Sequence, residues 1–397
     1  MSVPERPGRD GMRLCIATSR YPRAGETFVM RHVDELAGGN TVVVCGRRTG
    51  PAPAGKAVFS RLHAVLNPAD LLLAPWYLAR NHHLYRAAFA PFGRGRAGLR
   101  QFLQDQRVDA ILAEFGSQTV LHWPLAREMG LPIFGYFRGR DASKYLCHPA
   151  RVEAYRRMMP HLAGIFAVSG FLLDNLARQG LHHPNAHVVP SGVDTDLFRP
   201  AEKTPGSVLY VGRFVEKKAP LLTLESFLDV AGKHPGARLE FIGQGPLLAK
   251  CRARAARAPH GARVIFHGRM PHAEVRAHLA RASILVQHSL TGRDGETEGL
   301  PVSIQEGMAC GAAILSTRHA GIPELVEEGV TGHLVDEGDA AGFTTGLDRL
   351  LADPAATRAM GARARALACA RVDYRALYRH VETVIASALD PAARTRA

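Results

Sequence analysis

RLCIATSRYPRAGETFVMRHVDELAGGNTVVVC, residues 13–45, reads as strand, helix and strand in turn. RLCIAT (13–18) and TVVVC (41–45) are short apolar runs of strand length, and ETFVMRHVDELA (26–37) between them has a helical pattern. Strand–helix alternation of this kind implies a parallel sheet covered on both faces. The series runs on through AILA (110–113), PIFGY (132–136), GIFAVS (164–169) and HVVP (187–190). SGVDTDLFRPAEKTPG (191–206) then carries turn chemistry and little periodicity. A second series follows: SVLYVG (207–212), RLEFIG (238–243), RVIFHG (263–268), SILVQHS (283–289) and AAILST (312–317).

The expectation is therefore an α/β chain of two doubly wound, Rossmann-like domains. The first spans 1–190, the linker 191–206, and the second 207–372. DYRALYRHVETVIASAL (373–389) is an amphipathic pattern, and the closing helix over 373–397 is expected to pack back onto the first domain. Ligands of open α/β sheets bind at the carboxyl ends of the strands, so the cleft between two such domains is where a ligand is expected.

The bulk composition narrows the function without choosing it. Hydrophobic residues make up 46% of 397, charged residues 22%, and the net charge is +14. A basic balance suits nucleic acid, anionic lipid or phosphorylated ligands. Many arginines sit in Ala/Arg helices such as CRARAARAPH (251–260) and ARARALACARV (362–372), which are solvated faces. The aromatic-rich basic motif of an RNA-binding module is missing, so no nucleic-acid partner is expected. The six cysteines are scattered without a CxxC pair, as in free thiols of a reducing cytosol. MSVPERPGRDGM lacks the apolar run of a signal peptide, and no stretch approaches the ~20 apolar residues of a membrane helix. A cytoplasmic protein is expected. ADLLLAPWYLARNHHLYRAAFAPF (69–92), broken by Pro75 and then basic and aromatic, reads either as a partly buried helix pair or as a segment lying on an anionic membrane surface.

EGLPVSIQE, Glu298 to Glu306, carries the most chemistry. Pro301 suits the first helical position, where its missing N–H costs nothing. The free amides of that helix start, around Pro301, Val302 and Ser303, make an anion site. One carboxylate stands before the helix and one inside it. This arrangement suits a phosphate flanked by hydroxyl-rich rings, as in a nucleotide-sugar.

SGVDTDLFRP, VGRFVEKKAP, FIGQGPLL, FHGRMPHAEV, DGETEGLPVSIQEGMACG and STRHAGIPELVEEGVTGHLV follow in that order over residues 191–335. The ordered set resembles the retaining glycosyltransferases of family 4, which have the GT-B fold. SRYPRAGETF (19–28), LAEFGS (112–117) and FRGRDASKY (137–145) resemble a branch of that family acting in surface-polysaccharide synthesis.

The resemblance implies a transfer of sugar from a nucleotide-sugar donor to a glycan or lipid-linked acceptor hydroxyl, with retention. It implies Arg213 and Lys218 as a diphosphate clamp, Glu298 beside the donor sugar, and Glu306 on the ribose. Gly299, Leu300, Pro301 and Val302 would line the phosphates, and Gly243 and Gly245 a glycine-lined loop near the nucleotide. The physics agrees: fixed cations stabilise a developing diphosphate, and an ionised carboxylate accepts bonds from vicinal hydroxyls. On the acceptor side the resemblance points to Gly25, Arg138 and Asp141. Here the chain departs from its relatives, since Arg138 takes a place where many have His. A guanidinium stays protonated and is no general base, but it can hold a phosphate or sugar oxygen, or pair with Asp141.

Leu248 stands where a dinucleotide fingerprint needs its third glycine, which argues against a nicotinamide enzyme. Asp194 and Asp196 form a DxD, but turn-making and capping suit them better than metal binding. His82–His83 and His182–His183 are adjacent pairs that cannot face one ligand on a helix. No metal and no cofactor beyond the nucleotide-sugar co-substrate are expected. The alternatives are a soluble small-molecule acceptor, a nucleotide-sugar epimerase, and a binding protein that kept the fold.

Overall fold

A computed structural model describes residues 11–23, 25–61 and 68–390. The chain divides into two compact units: residues up to 168 with 172–189 and 378 onward, and residues 169–171 with 190–377.

The first unit carries β1 (Leu14–Tyr21), β2 (Thr41–Arg48), β3 (Val58–Ser60), β4 (Ala110–Glu114), β5 (Ile133–Phe137), β6 (Gly164–Ala167) and β7 (Ala186–Val188). They form one parallel sheet in the order β3-β2-β1-β4-β5-β6-β7. Strands buried on both faces must be apolar almost throughout, and Thr41–Cys45 and Ala110–Glu114 are buried at every position. Its helices are α1 (Thr27–Glu35), α2 (Pro68–Tyr85), α3 (Gly93–Asp105), α4 (Gly116–Glu128), α5 (Pro149–Met158) and, from Leu172 on, α6 (Gly170–Ala177).

The second unit repeats the scheme. Its strands are β8 (Thr204–Val211), β9 (Arg238–Ile242), β10 (Val264–Gly268), β11 (Ala282–Gln287), β12 (Ala313–Thr317) and β13 (Gly332–Val335). They are parallel, in the order β10-β9-β8-β11-β12-β13. The crossovers contain α7 (Pro220–Ala231), α8 (Leu248–Ala256), α9 (His272–Arg281) and α10 (Val302–Ala309). They are followed by α11 (Ala340–Ala352), α12 (Pro354–Arg371) and α13 (Tyr374–Leu389). Tyr210, Phe227, Phe241, Val286, Leu315 and Phe343 sit in one buried apolar cluster between the sheet and its helices.

In each sheet the winding direction reverses once, at β1/β4 and at β8/β11. Such a switch point opens a crevice beyond the carboxyl ends of the two strands.

Two expectations need correcting, and two strands are added. Residues 191–206 are no free linker: Val193 bridges Asp373, Ala201 N–H donates to Ala280, and Lys203 Nζ donates to the carbonyls of Ala282 and Cys310 at 2.7 Å each. They belong to the second unit. Segment 69–92 is one helix followed by an irregular turn, not a helix pair. Pro75 lies inside α2 and removes the ladder bond to the Leu71 carbonyl, on a turn where Leu71 is 59% exposed. β3 and β13 carried no run in the sequence reading. They are three and four residues long at sheet edges, and their order comes from the neighbouring strand. The expected C-terminal helix reaches Leu389, and residues 391–397 lie outside the described chain. From Tyr378 on it belongs to the first unit, with Val381 and Ile385 fully buried.

Candidate active site

β8 delivers Arg213 two residues past its end, and the 3-10 turn Glu216–Lys218 delivers Lys218. Pro220 then opens α7. Arg213 is exposed and Lys218 is buried. The loop holding Arg213 rests on the loop after β9. Gly212 N–H donates to Ile242, and Phe214 N–H to Gln244 at 2.9 Å. Gly243 and Gly245 make this contact possible. Both have positive φ, and a Cβ would stand 1.8 Å from the Gly212 oxygen or 2.4 Å from the Phe214 oxygen. Their first task is thus to seat the Arg213 loop.

The loop after β11 brings Glu298 to the same place. Its carboxylate lies 3.1 Å from Lys217 Nζ and 3.4 Å from Lys218 Nζ. Lys217 also reaches Glu296 at 2.8 Å. Burial pushes the Glu298 carboxyl up, but Lys218 and then Lys217 overcome this and hold it at about 2. Burial likewise lowers Lys218, with Glu298 opposing. Behind Glu298, its backbone N–H donates to His319 Nε2 at 3.0 Å, and His319 Nδ1 faces Glu337 at 2.5 Å. An acceptor at Nε2 and a carboxylate at Nδ1 place the imidazole proton on Nδ1.

Gly299, Leu300 and Pro301 are buried, and Val302 is half-buried. Pro301 occupies the N-cap, with ψ of 127°, so the helix starts at Val302, one residue later than expected. The first backbone bonds are from Ile304 and Gln305 to the Pro301 carbonyl. Geometry at a helix start therefore leaves the Val302 and Ser303 amides outside the ladder. Glu306, in the second turn, is 6% exposed and faces His272 Nε2 at 3.2 Å. A hollow of about 310 Å³ lies beside this cluster, lined by Arg213, Lys217, Arg293 and Glu296 among others.

In the first unit the expected residues also gather at a switch point. Gly25 precedes α1, and a Cβ there would meet nothing within 4 Å. Arg138 follows β5, with its side chain 4% exposed. Its guanidinium lies 3.8 Å from the Tyr136 ring centroid and 4.1 Å from that of Phe28, and Nε donates to Glu114 at 2.7 Å. Glu114 Oε1 meets His32 Nδ1 at 2.5 Å. Burial favours the neutral carboxyl, yet Arg138 and His32 hold Glu114 at about 2. Burial keeps His32 neutral, so it donates from Nδ1. Asp141 accepts from the backbone amides of Gly116, Arg138 and Gly139, which fixes the loop between β5 and α5.

Asp194 Oδ1 accepts from the amides of Asp196 and Leu197, and Arg375 pairs with both aspartates. The DxD is a turn closed by an arginine.

Lys217, His319, Glu114 and His32 escaped the sequence reading. Lys217 and Glu114 had a visible signal, a second lysine in the run and a carboxylate at a strand end. His32 and His319 had none, because their partners are 82 and 18 residues away.

Two parallel, doubly wound sheets of seven and six strands are the Rossmann-like pair of the GT-B architecture. The model of "Glycosyl transferases group 1" matches residues 194–367, and that of "Glycosyltransferase Family 4" matches residues 25–197. The putative colanic acid biosynthesis glycosyltransferase WcaL of Salmonella typhimurium is 30% identical over 365 residues, covering 83% of this chain and 88% of that one. Its Escherichia coli counterpart is 32% identical over 241 residues, and that match spans 59% of each chain. The crystal structure of Anabaena Alr3699/HepE in complex with UDP-glucose superposes with a TM-score of 0.74 at 15% identity, covering 95% of this chain and all of that one. The chain belongs to glycosyltransferase family 4.

Proposed function

We propose that the protein transfers a sugar from a nucleoside-diphosphate sugar to an acceptor hydroxyl, with retention of configuration and without a metal, in polysaccharide or glycolipid synthesis. The observation that carries this reading is the grouping of Glu298, Lys217 and Lys218 at the β8/β11 switch point, where Arg213 and the start of α10 also lie. Arg213, Lys218 and the amides of Val302 and Ser303 would stabilise the diphosphate as it leaves. Glu306 would accept from the ribose hydroxyls, and Glu298 would hold the lysines and face the sugar. Complexes of HepE with UDP and with UDP-glucose support a donor of this class.

The acceptor is proposed to be lipid-linked or glycan, met at an anionic membrane surface. α2 supports this. Leu71, Leu72, Leu73 and Trp76 are 47–81% exposed, Phe89 follows at 76%, and Arg80 lies over Trp76. No helix among the described residues is long and apolar enough to cross a membrane, so the proposed association is peripheral. The cytoplasmic face is the side where nucleotide-sugars and a chain of unpaired cysteines both fit.

The test is nucleotide release from a panel of nucleotide-sugars, with lipid extracts or soluble glycans as acceptors, in EDTA. Glu306→Ala and Lys218→Ala should lose at least ~100-fold in kcat/KM, about 3 kcal/mol of transition-state stabilisation, while keeping the wild-type circular dichroism. Full activity in both variants sinks the site. A β-linked product from an α-linked donor sinks retention, and an altered donor sugar without acceptor points to epimerisation.

A further inference from the structure

Among the described residues, Glu240, His267 and His278 bring one oxygen and two ring nitrogens within 4.8 Å of one another. His267 Nε2 and His278 Nδ1 each lie 2.7 Å from the same atom, Glu240 Oε2. The ring centroids are 4.6 Å apart. All three side chains are 23–28% exposed, so solvent can complete a coordination shell. None is a proposed donor residue.

The fold builds this cluster on purpose-shaped backbone. Glu240 alternates with Leu239 and Phe241 of the core, so it turns to the other face of the sheet. β10 is the edge strand, and its register with β9 shifts between Phe266 and Gly268. The residue left between them is His267. A bulge of this kind re-aims a side chain. α9 packs on β8 and β11 of the same sheet and brings His278, beside the buried Leu279, to Glu240. Sequence reading missed the group because Glu240 and His267 are 27 residues apart and match no ligand motif.

We propose that Glu240, His267 and His278 form a Zn2+ site that clips α9 to the edge of the second sheet. As neutral tautomers, the two imidazoles offer the facing nitrogens as lone pairs, and an ionised carboxylate offers an oxygen. Two imidazoles and one carboxylate select zinc, cobalt, nickel or copper over magnesium and calcium, which prefer oxygen shells. Ligand atoms about 2.0–2.2 Å from a tetrahedral Zn2+ stand roughly 3.3–3.6 Å apart, so each 2.7 Å contact to Glu240 opens by roughly 0.6–0.9 Å as the ion enters. The ion is structural and takes no part in the transfer. Its reach toward the donor side is through α9, whose first residue, His272, touches Glu306.

The experiment uses tag-free protein, stripped with EDTA and dialysed, with Cys147 and Cys369 changed to Ser so that no exposed thiol competes. Calorimetric titration with ZnCl2 should show one saturable equivalent in the micromolar range, and Zn2+ should raise the Tm, with EDTA reversing it. Co2+ in place of Zn2+ should give the visible absorption of a low-coordinate site. His267→Asn and His278→Asn should each weaken Zn2+ by at least ~10-fold and remove the Zn2+-dependent rise in Tm. Their metal-free Tm and circular dichroism should match the parent. Absence of a saturable equivalent in the parent overturns the proposal without recourse to any variant. Undiminished binding in the two variants overturns it as well.

Discussion

Glu298 shows how one residue can serve two neighbours. Burial alone would neutralise it, and two lysines keep it ionised at about 2. Replacing Glu298 would take from the buried Lys218 the carboxylate 3.4 Å away, whereas loss of either lysine leaves the other beside Glu298. Two glycines give contrasting predictions at this scale. Gly243→Ala puts a methyl 1.8 Å from the Gly212 oxygen at a positive φ, so the Arg213 loop must move. The expected result is a loss of about 2–4 kcal/mol in urea unfolding together with lost donor binding. Gly25→Ala meets open space. It should leave the unfolding midpoint unchanged, and any fall in turnover then reports contact with substrate, read as kcat at saturating donor. A Gly25→Ala protein of normal activity removes Gly25 from the site.

Among the described elements, α2 exposes the most large apolar side chains. Leu71, Leu72 and Trp76 are 59%, 81% and 58% exposed, and its buried face carries Asp70, which caps α3 at Arg94 N–H with a 2.9 Å bond. Leu72 and Trp76 stand one helical turn apart, so a Leu72→Glu, Trp76→Glu variant places two carboxylates on the same stripe without touching the core. Sedimentation with vesicles containing anionic lipid should show binding of the parent and at least ~10-fold weaker binding of the variant. Transfer to soluble acceptors should be unchanged. Equal sedimentation of both proteins, or of the parent with neutral and anionic vesicles alike, would set the membrane reading aside. α10 gives the opposite lesson. Its sequence announced a helix start, yet Pro301 sits in the cap rather than the first turn: the chain bends at Gly299–Leu300, and Pro301 is still non-helical with ψ of 127°.

At the scale of the whole molecule, stability follows the buried titratable groups. His288 is fully buried, and burial lowers it from 6.5 to about 4, with Asp339 and Glu337 opposing. Its Nε2 accepts from Gly338 N–H, which requires the neutral ring. The unfolded chain binds this proton more readily, so stability falls as pH drops through 6.5 to 4, by roughly 3 kcal/mol in full. His32 and His122, both lowered chiefly by burial, act in the same sense. Glu298 and Glu114, held at about 2 against an ordinary 4.5, add stability that is present above 4.5 and is lost as pH falls toward 2. The thermal midpoint should therefore decline from pH 6.5 downward and decline faster below 4.5. His288→Gln should flatten the upper part of that curve. A midpoint constant between pH 6.5 and 4 contradicts the assignment.

The alternation of apolar runs and helical patterns was enough to read two wound parallel sheets, since strands buried on both faces must be written in apolar residues and each run is local. EGLPVSIQE and VGRFVEKK were legible for a similar reason: a helix start and a strand end each present charge within a few residues of one another. Partnership between distant residues was not legible. Glu298 with Lys217 and Lys218, Arg138 with Glu114 and His32, and Glu240 with His267 and His278 meet only after the sheets close, because strand order, not chain order, sets which loops are neighbours. The place of residues 190–206 and of the last helix was settled in the same way, by backbone and side-chain bonds to segments more than 70 residues away, such as Lys203 to Ala282 and Ala37 to Glu382.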